Sequence, residues 1–300
     1  MTGRKAWPTA ILCLVLLAGP ATCVAQLSDN LGGLTDENLE GYLSPLNTAL
    51  SATMNTAIFR TGYVPKMGVS ISGGLVIMAM GFGSEDKVFV PIDPEGFTSL
   101  APTEVPTVAG DPLGVVVDGE DGLSQIYPGG FDLEGFEIAA PQISIGSIYG
   151  TRAVIRYIAF DLGDSDFGKF SYVGYGAQHS ISQYFPGLPV DLAAGFMIQD
   201  LEIGDNVVDA RATYMGVTAS RDFRFLQPYV GLGIDTIQLD AKHDDDDDDD
   251  IDTSFDVSLG KETDPHLTLG VAAKVPYVSA FIELNAAAAT GVAIGLSFGN

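Results

Sequence analysis

The side chains with the most evident chemistry in this sequence are carboxylates. Asp244 to Asp250 form an unbroken run of seven, set between Lys242-His243 and Ile251. Oxygen ligands of this kind suit Ca2+ or Mg2+, but a preformed cage needs spaced ligands that converge. Neighbours in an uninterrupted run point in different directions, and their like charges repel and stay hydrated. We therefore expect an acidic loop in which Asp244, Asp246, Asp248 and Asp250 bind divalent cations loosely, with His243 at its edge. Two shorter stretches, "DGEDG" (118–122) and "DSDFG" (164–168), lack the spaced series of an EF-hand loop and read as turns.

Basic side chains are scarcer and more telling. Arg152 and Arg156 lie two strand-steps of two apart, so in an extended segment they share one face. They read either as a basic strip that selects an anionic solute or as partners for interior acids such as Asp191 or Glu283. The pairing is the more ordinary outcome. Gln178 lies on a face otherwise made of glycine and serine. His179 is a candidate base or ligand, but strict alternation puts it on the opposite, apolar face. No serine or carboxylate has a spacing that completes a triad with it. Walker loops, dinucleotide fingerprints, zinc-spaced histidines and a Gly-x-Ser-x-Gly elbow are all lacking in the sequence. No catalytic residue and no cofactor follow from it.

What must position these residues is legible from the start of the chain. Arg4 and Lys5 precede a compact apolar stretch, Ala10 to Ala18, which Gly19 and Pro20 end. Cys23-Val24-Ala25 then offers a small-x-small cleavage site. Residues 1–25 read as a signal peptide, too short in their apolar part to span a bilayer comfortably. Cleavage would remove both cysteines and the single tryptophan, leaving no thiol chemistry. It would also remove two of the 14 Lys and Arg, so 12 stand against 39 Asp and Glu, a net charge of −27. That sign argues against nucleic acid as a partner.

Residues 34–59 carry Leu39, Tyr42, Leu43, Leu46, Leu50, Met54 and Ile58 at helical steps, with Thr35 as a candidate cap. Pro45 breaks a straight helix, and Ser44-Pro45 suits a new start, so we expect two short helices meeting there. Within 26–66 they would form a plug or a cap. From Met67 the period changes to two. Segments near 67–81, 141–148, 151–160, 169–183, 189–202, 206–220, 226–240, 265–273, 277–286 and 290–299 alternate apolar with small or polar residues. Val292, Ile294, Leu296 and Phe298, for example, oppose Gly291, Ala293, Gly295 and Ser297. Long strands with one apolar face and one crowded, small-residue face fit an all-β, antiparallel transmembrane β-barrel over 67–300. Ten strands is an even number, and it puts the long connections 82–140 and 241–264 together on the outer side. Twelve or fourteen strands would result if 82–140 or 252–259 added more. The chain also ends on an alternating strand with a nearly terminal aromatic, Phe298.

The segments "APQISIGSIYGTRAVIRYI" (140–158) and "GYGAQHSISQYFPGLPVDLAAGF" (174–196) resemble the core of an uncharacterised family of Gram-negative outer-membrane barrels. Gly176, His179, Gln183, Pro186 and Gly187 carry the match, with "YLSP" (42–45) and "TDP" (263–265) nearer the ends. That family is loosely grouped with long-chain fatty-acid transporter barrels, which have more strands and an N-terminal plug. The resemblance implies the outer membrane as location and no established activity. Its partners would be outer-membrane lipid, lipopolysaccharide and the assembly machinery. The function expected is passive or gated uptake of a small or hydrophobic solute. A surface barrel with acidic, cation-binding loops is the alternative, and a barrel lipid hydrolase ranks behind both.

Overall fold

Side-chain alternation decides the architecture. In the computed structural model, which describes residues 34–161, 169–204, 208–243 and 255–299, the chain enters its first long strand, β1 (Met67–Gly81). Two small hairpins follow, β2 (Val88–Phe89) with β3 (Val105–Pro106) and β4 (Val115–Asp118) with β5 (Ser124–Tyr127). Nine long strands complete the chain: β6 (Gly135–Ile148), β7 (Thr151–Asp161), β8 (Lys169–Ser180), β9 (Asp191–Ile203), β10 (Val208–Ser220), β11 (Leu226–His243), β12 (Phe255–Val275), β13 (Val278–Ala286) and β14 (Thr290–Gly299). Each of these pairs antiparallel with the next. β1 pairs with β6 on one side and with β14 on the other, Leu75 standing opposite Leu296. The result is a closed barrel of ten strands, and closure removes the unpaired edges that an open sheet would expose. No helix among the described residues is long and apolar enough to cross a membrane.

The two faces of this wall differ sharply. Outward-pointing Leu75, Ile145, Tyr175, Met215, Leu232 and Ile282 are exposed, whereas inward-pointing Met78, Tyr172, Met197, Tyr214, Tyr229 and Phe281 are buried. Several inward glycines are sockets for these rings. A Cβ at Gly270 would meet the Tyr229 ring at 2.2 Å, and one at Gly295 the Phe281 ring at 2.3 Å. Small residues on the inner face are thus the other half of an aromatic packing pattern.

The barrel's ends are unlike. At the turn end lie the short connections 149–150, 181–190, 221–225 and 276–277, with Tyr149, Tyr184, Phe185, Phe223, Phe225 and Tyr277 exposed around them. At the loop end, residues 82–134 fold into a cap built on the two small hairpins. They add no barrel strand. Lys87 ties the cap together, its Nζ donating to Glu134 at 2.8 Å and to Asp132 at 3.3 Å. The bond to Glu134 raises the Lys87 ammonium above its usual pKa. The cap's chemistry is acidic: Phe82 to Glu134 carries eleven Asp and Glu and one Lys.

The largest differences between the expected and observed strands lie at the loop end; at the turn end β8 stops at Ser180, because residues Ser182–Tyr184 form a 3-10 turn. β12 begins at Phe255, ten residues before the expected start, because its ladder with β11 continues past a register shift between Ile237 and Leu239. The outward residues there, such as Gln238 and Asp240, are polar while the inward Ile237, Leu239, Val257 and Leu259 are apolar, so the alternation reverses phase before the strand ends. The expected leader, the turn at 164–168 and the polyaspartate run lie outside the described residues.

The helical segment is one helix, α1 (Asp36–Met54), with Pro45 inside it. The expected break at Pro45 does not occur. Proline removes the donor to the Gly41 carbonyl and crowds it. Here the cap supplies a donor alongside, the Val108 N–H bonding the Tyr42 carbonyl at 3.0 Å. Gly41 leaves room for the Phe89 ring, which a Cβ would meet at 2.5 Å. The cap also grips the first turns: Asn38 exchanges two hydrogen bonds with the Ile92 main chain, and the Tyr42 hydroxyl donates to Gly129 O. Leu39, Leu43, Leu50 and Met54 are buried against barrel residues such as Met78, Leu201 and Leu239. The helix therefore runs from the cap into the lumen, and residues 55–66 carry the chain on to the turn end, where β1 starts.

Candidate functional site

The helix stops halfway down the lumen, and its last carbonyls must find donors there. One comes from just beyond the helix, Thr56 Oγ1 donating to Ala52 O at 2.7 Å, while Thr53 Oγ1 adds a bond to Ala49 O one turn back. The rest come from the barrel wall. Arg156, completely buried on β7, donates through Nη1 to Met54 O at 2.9 Å and through Nη2 to Thr56 O at 2.6 Å. Its Nε donates to Gln142 Oε1 at 2.8 Å, and Nη1 also reaches Gln199 Oε1 at 3.0 Å. Gln199 Nε2 adds a second bond to Met54 O, at 2.7 Å. A cation at a helix C-terminus suits the dipole, and α1 has no basic residue in its last turn. The barrel supplies that charge.

The same pattern continues below. Gln142 Nε2 donates to Ile58 O at 3.4 Å. Arg152 Nη2 and Gln178 Nε2 both donate to Thr61 O, at 3.2 and 3.0 Å, while Gln178 Oε1 accepts from Arg152 Nε at 3.0 Å. On other walls Glu283 Oε1 accepts the Ala57 N–H at 2.7 Å and Ser220 Oγ the Gly62 N–H at 2.9 Å. The segment's own Arg60 lies over the Phe281 ring at 4.5 Å and reaches Ser297 Oγ at 3.4 Å. Most of these contacts read the main chain of residues 54–62, not its side chains.

Across the lumen from β7 a second buried network runs through β11, β12 and β13. His266 Nδ1 is 2.5 Å from Asp235 Oδ2, and His266 Nε2 is 2.8 Å from Asn285 Oδ1. Asn285 Nδ2 donates to Glu283 Oε1 at 2.9 Å, which fixes the direction of the amide. The Tyr229 hydroxyl donates to Glu283 Oε2 at 2.8 Å. Asp235, His266 and Thr268 superficially form an acid–base–hydroxyl trio. Thr268 Oγ1, however, donates to Asn285 Oδ1 at 2.8 Å, so its proton points away from the imidazole. This arrangement holds the wall together and offers no activated nucleophile.

Arg152, Arg156 and Gln178 all face the lumen and meet at one stretch of the plug. The expected acid partners are not theirs: among the described residues neither guanidinium has a carboxylate within 4.0 Å, and Glu283 bonds to Ala57 N–H, Tyr229 and Asn285 instead. His179 is on the outer face at the turn end, bonded to Thr151 Oγ1 at 2.7 Å and to the Tyr184 hydroxyl at 2.9 Å. "DGEDG" is a turn, with Asp121 and Gly122 at φ of 59° and 75°. Among the described residues no group of three or more His, Cys, Asp or Glu is placed to hold a metal. The candidates at 244–250 lie outside those residues. Gln142, Gln199, Asp235, His266 and Asn285 were not singled out from the sequence. Strand parity, which places each of them on the inner face, was the one signal available.

Fold and site together define the class: a closed antiparallel β-barrel whose lumen is filled by its own N-terminal segment. Within that class the chain belongs to a family of unknown function (DUF6588), whose model matches residues 4–300. No curated protein matches it.

Proposed function

We propose that this protein is an outer-membrane β-barrel in which residues 36–66 form a plug that gates the passive passage of a small solute. The observation that carries the reading is the way the plug is held. Buried arginine and glutamine side chains of the wall bind its carbonyls, so the interior beneath it is polar and built to be occupied. A barrel needing only rigidity is better stabilised by apolar filling, because a buried ionic group rarely gains more than its desolvation costs. The exposed apolar side chains around the outer wall and the aromatic residues at the turn end support placement in a bilayer. Sec export of the chain and a polar, not a hydrophobic, solute fit the same reading. Ten strands leave little free lumen while the plug is seated, so passage requires the plug to shift.

Full-length protein in liposomes tests this. Solute flux is expected to be low, and to rise in Arg156→Met, which weakens the hold on Met54 O and Thr56 O. Equal absence of flux from both would sink the gate.

One observation favours a second reading, a surface-interaction barrel. The cap exposes Leu113, Val116 and Ile126 among its acids, and exposed apolar groups of this size often mark contact sites. In that reading the plug is permanent and the acidic loops, with loosely held cations, are the working surface.

A further inference from the structure

We infer that the solute taken by the lumen is a small organic anion, whose carboxylate Arg152 and Arg156 receive in place of the plug's carbonyls. The inference rests on the gated-passage reading above and names the class of solute.

Arg156 is fully buried and Arg152 partly so, and among the described residues every acceptor they have is neutral: Gln142, Gln178 and Gln199 Oε1, the Tyr172 hydroxyl at 3.3 Å, and the carbonyls of Met54, Thr56 and Thr61. A carboxylate offers the guanidinium an opposite charge that a carbonyl lacks, and it matches the guanidinium fork with two oxygens at once. The plug is therefore a replaceable occupant, and an anion is the occupant that improves on it. The lumen's acids do not compete for the arginines. Asp235 is held by His266, and Glu283 is tied to its own wall by Tyr229 and Asn285. Arg152 and Arg156 also form a ladder along β7, about 13 Å apart by strand rise, with Arg152 next to the start of β7 at the turn end.

The approach has the right sign at that end. Lys66, Arg221, Arg224 and Lys274 stand there against Asp191 and Asp222. A recess of about 260 Å³, lined by one cation and one acid, Lys66 and Asp191, with Tyr63 and Gln183, opens where the plug leaves the lumen. The acidic cap covers the opposite mouth. An anion thus meets surface cations, then Arg152, then Arg156.

The test uses full-length protein in liposomes and three solutes of one size: gluconate, glucose and glucosamine. Gluconate is expected to pass faster than glucosamine by roughly tenfold, the lower range for a charge-lined passage. The double variant Arg152→Gln, Arg156→Gln is expected to bring the two rates together. Heat-modifiable gel mobility checks that it still folds. The wild-type reversal potential in a KCl gradient needs no variant, and its sign should report chloride as the more permeant ion. Equal rates, faster glucosamine or potassium selectivity overturns the inference and leaves the gate standing. Passage of none of the three through either wild type or Arg156→Met overturns the gate, and the inference with it.

Discussion

Arg156 Nη2 donates to the carbonyl oxygen of Thr56 at 2.6 Å, across 100 residues of sequence. A buried charge on the wall is thus satisfied by the main chain of the plug, and neither is complete alone. Arg156→Met should leave Thr56 O without its donor and Gln142 Oε1 with one fewer. Losing several buried hydrogen bonds together costs about 2–4 kcal/mol. Hydrogen–deuterium exchange of residues 54–62 would read the change, with faster exchange expected there than in the β-strands. Thr56→Ala is the contrast. The wall binds the carbonyl of residue 56, so this variant should lose only the hydroxyl bond to Ala52 O and keep the plug seated.

The glycine sockets lead to a second expectation. Gly270 lies under the Tyr229 ring, and Tyr229 in turn donates to Glu283, which holds the Ala57 N–H. Gly270→Val should force the ring off its seat and break that relay, at about 1–3 kcal/mol for overpacking. The change is on β12, far in sequence from the plug, yet exchange at Ala57 should rise. Unchanged exchange at Ala57 would show that the ring can move without disturbing Glu283.

The outer wall can be tested on its own. Leu232 points outward from the middle of β11 and is exposed. If that face meets lipid, Leu232→Arg should lower the stability of the vesicle-inserted protein by about 2–4 kcal/mol. The folded fraction on a heat-modifiable gel measures this. Gln238→Arg, on the same face near the loop end, should be nearly neutral. Equal effects at the two sites would remove the bilayer from the explanation.

Much of this fold was legible in the sequence, and the reason is the period. Val292, Ile294, Leu296 and Phe298 alternate because one side of β14 faces outward, so the strand and its orientation follow directly from residue type. The same rule put Arg152 and Arg156 inside. It could not name their partners, because the carbonyls of Met54 and Thr56 belong to the main chain and have no signature in residue type. Nor could it see α1 as continuous. Pro45 reads as a break by local rules, and the donor from Val108 that accommodates it arrives from more than sixty residues away. The beginning of β12 escaped because the alternation changes phase: beyond the outer apolar band the inward Val257 and Leu259 are apolar and the outward positions polar. Gln142 and Gln199 were passed over although parity puts them inside, because an uncharged amide carries no mark in residue type of the main-chain carbonyl it will bind.

The polyaspartate run supports one last prediction, about cations. β11 and β12 pair as far as His243 and Phe255, so the ladder closes without help from the residues between. Substitutions in 244–250 should therefore leave the barrel and plug unchanged. Seven consecutive carboxylates lack the ligand spacing of a calcium loop and should bind Ca2+ only loosely, in the range of about 10⁻⁴ to 10⁻³ M. Mg2+ should compete, since charge and not cavity size sets the affinity. Calcium titration of the purified protein, followed by calorimetry, should show this binding. Changing Asp244, Asp246, Asp248 and Asp250 together to Asn should remove most of it while heat-modifiable mobility stays the same. Tight, Mg2+-resistant binding would point to an ordered cage, and binding indifferent to the four substitutions would move the cations elsewhere on this acidic surface.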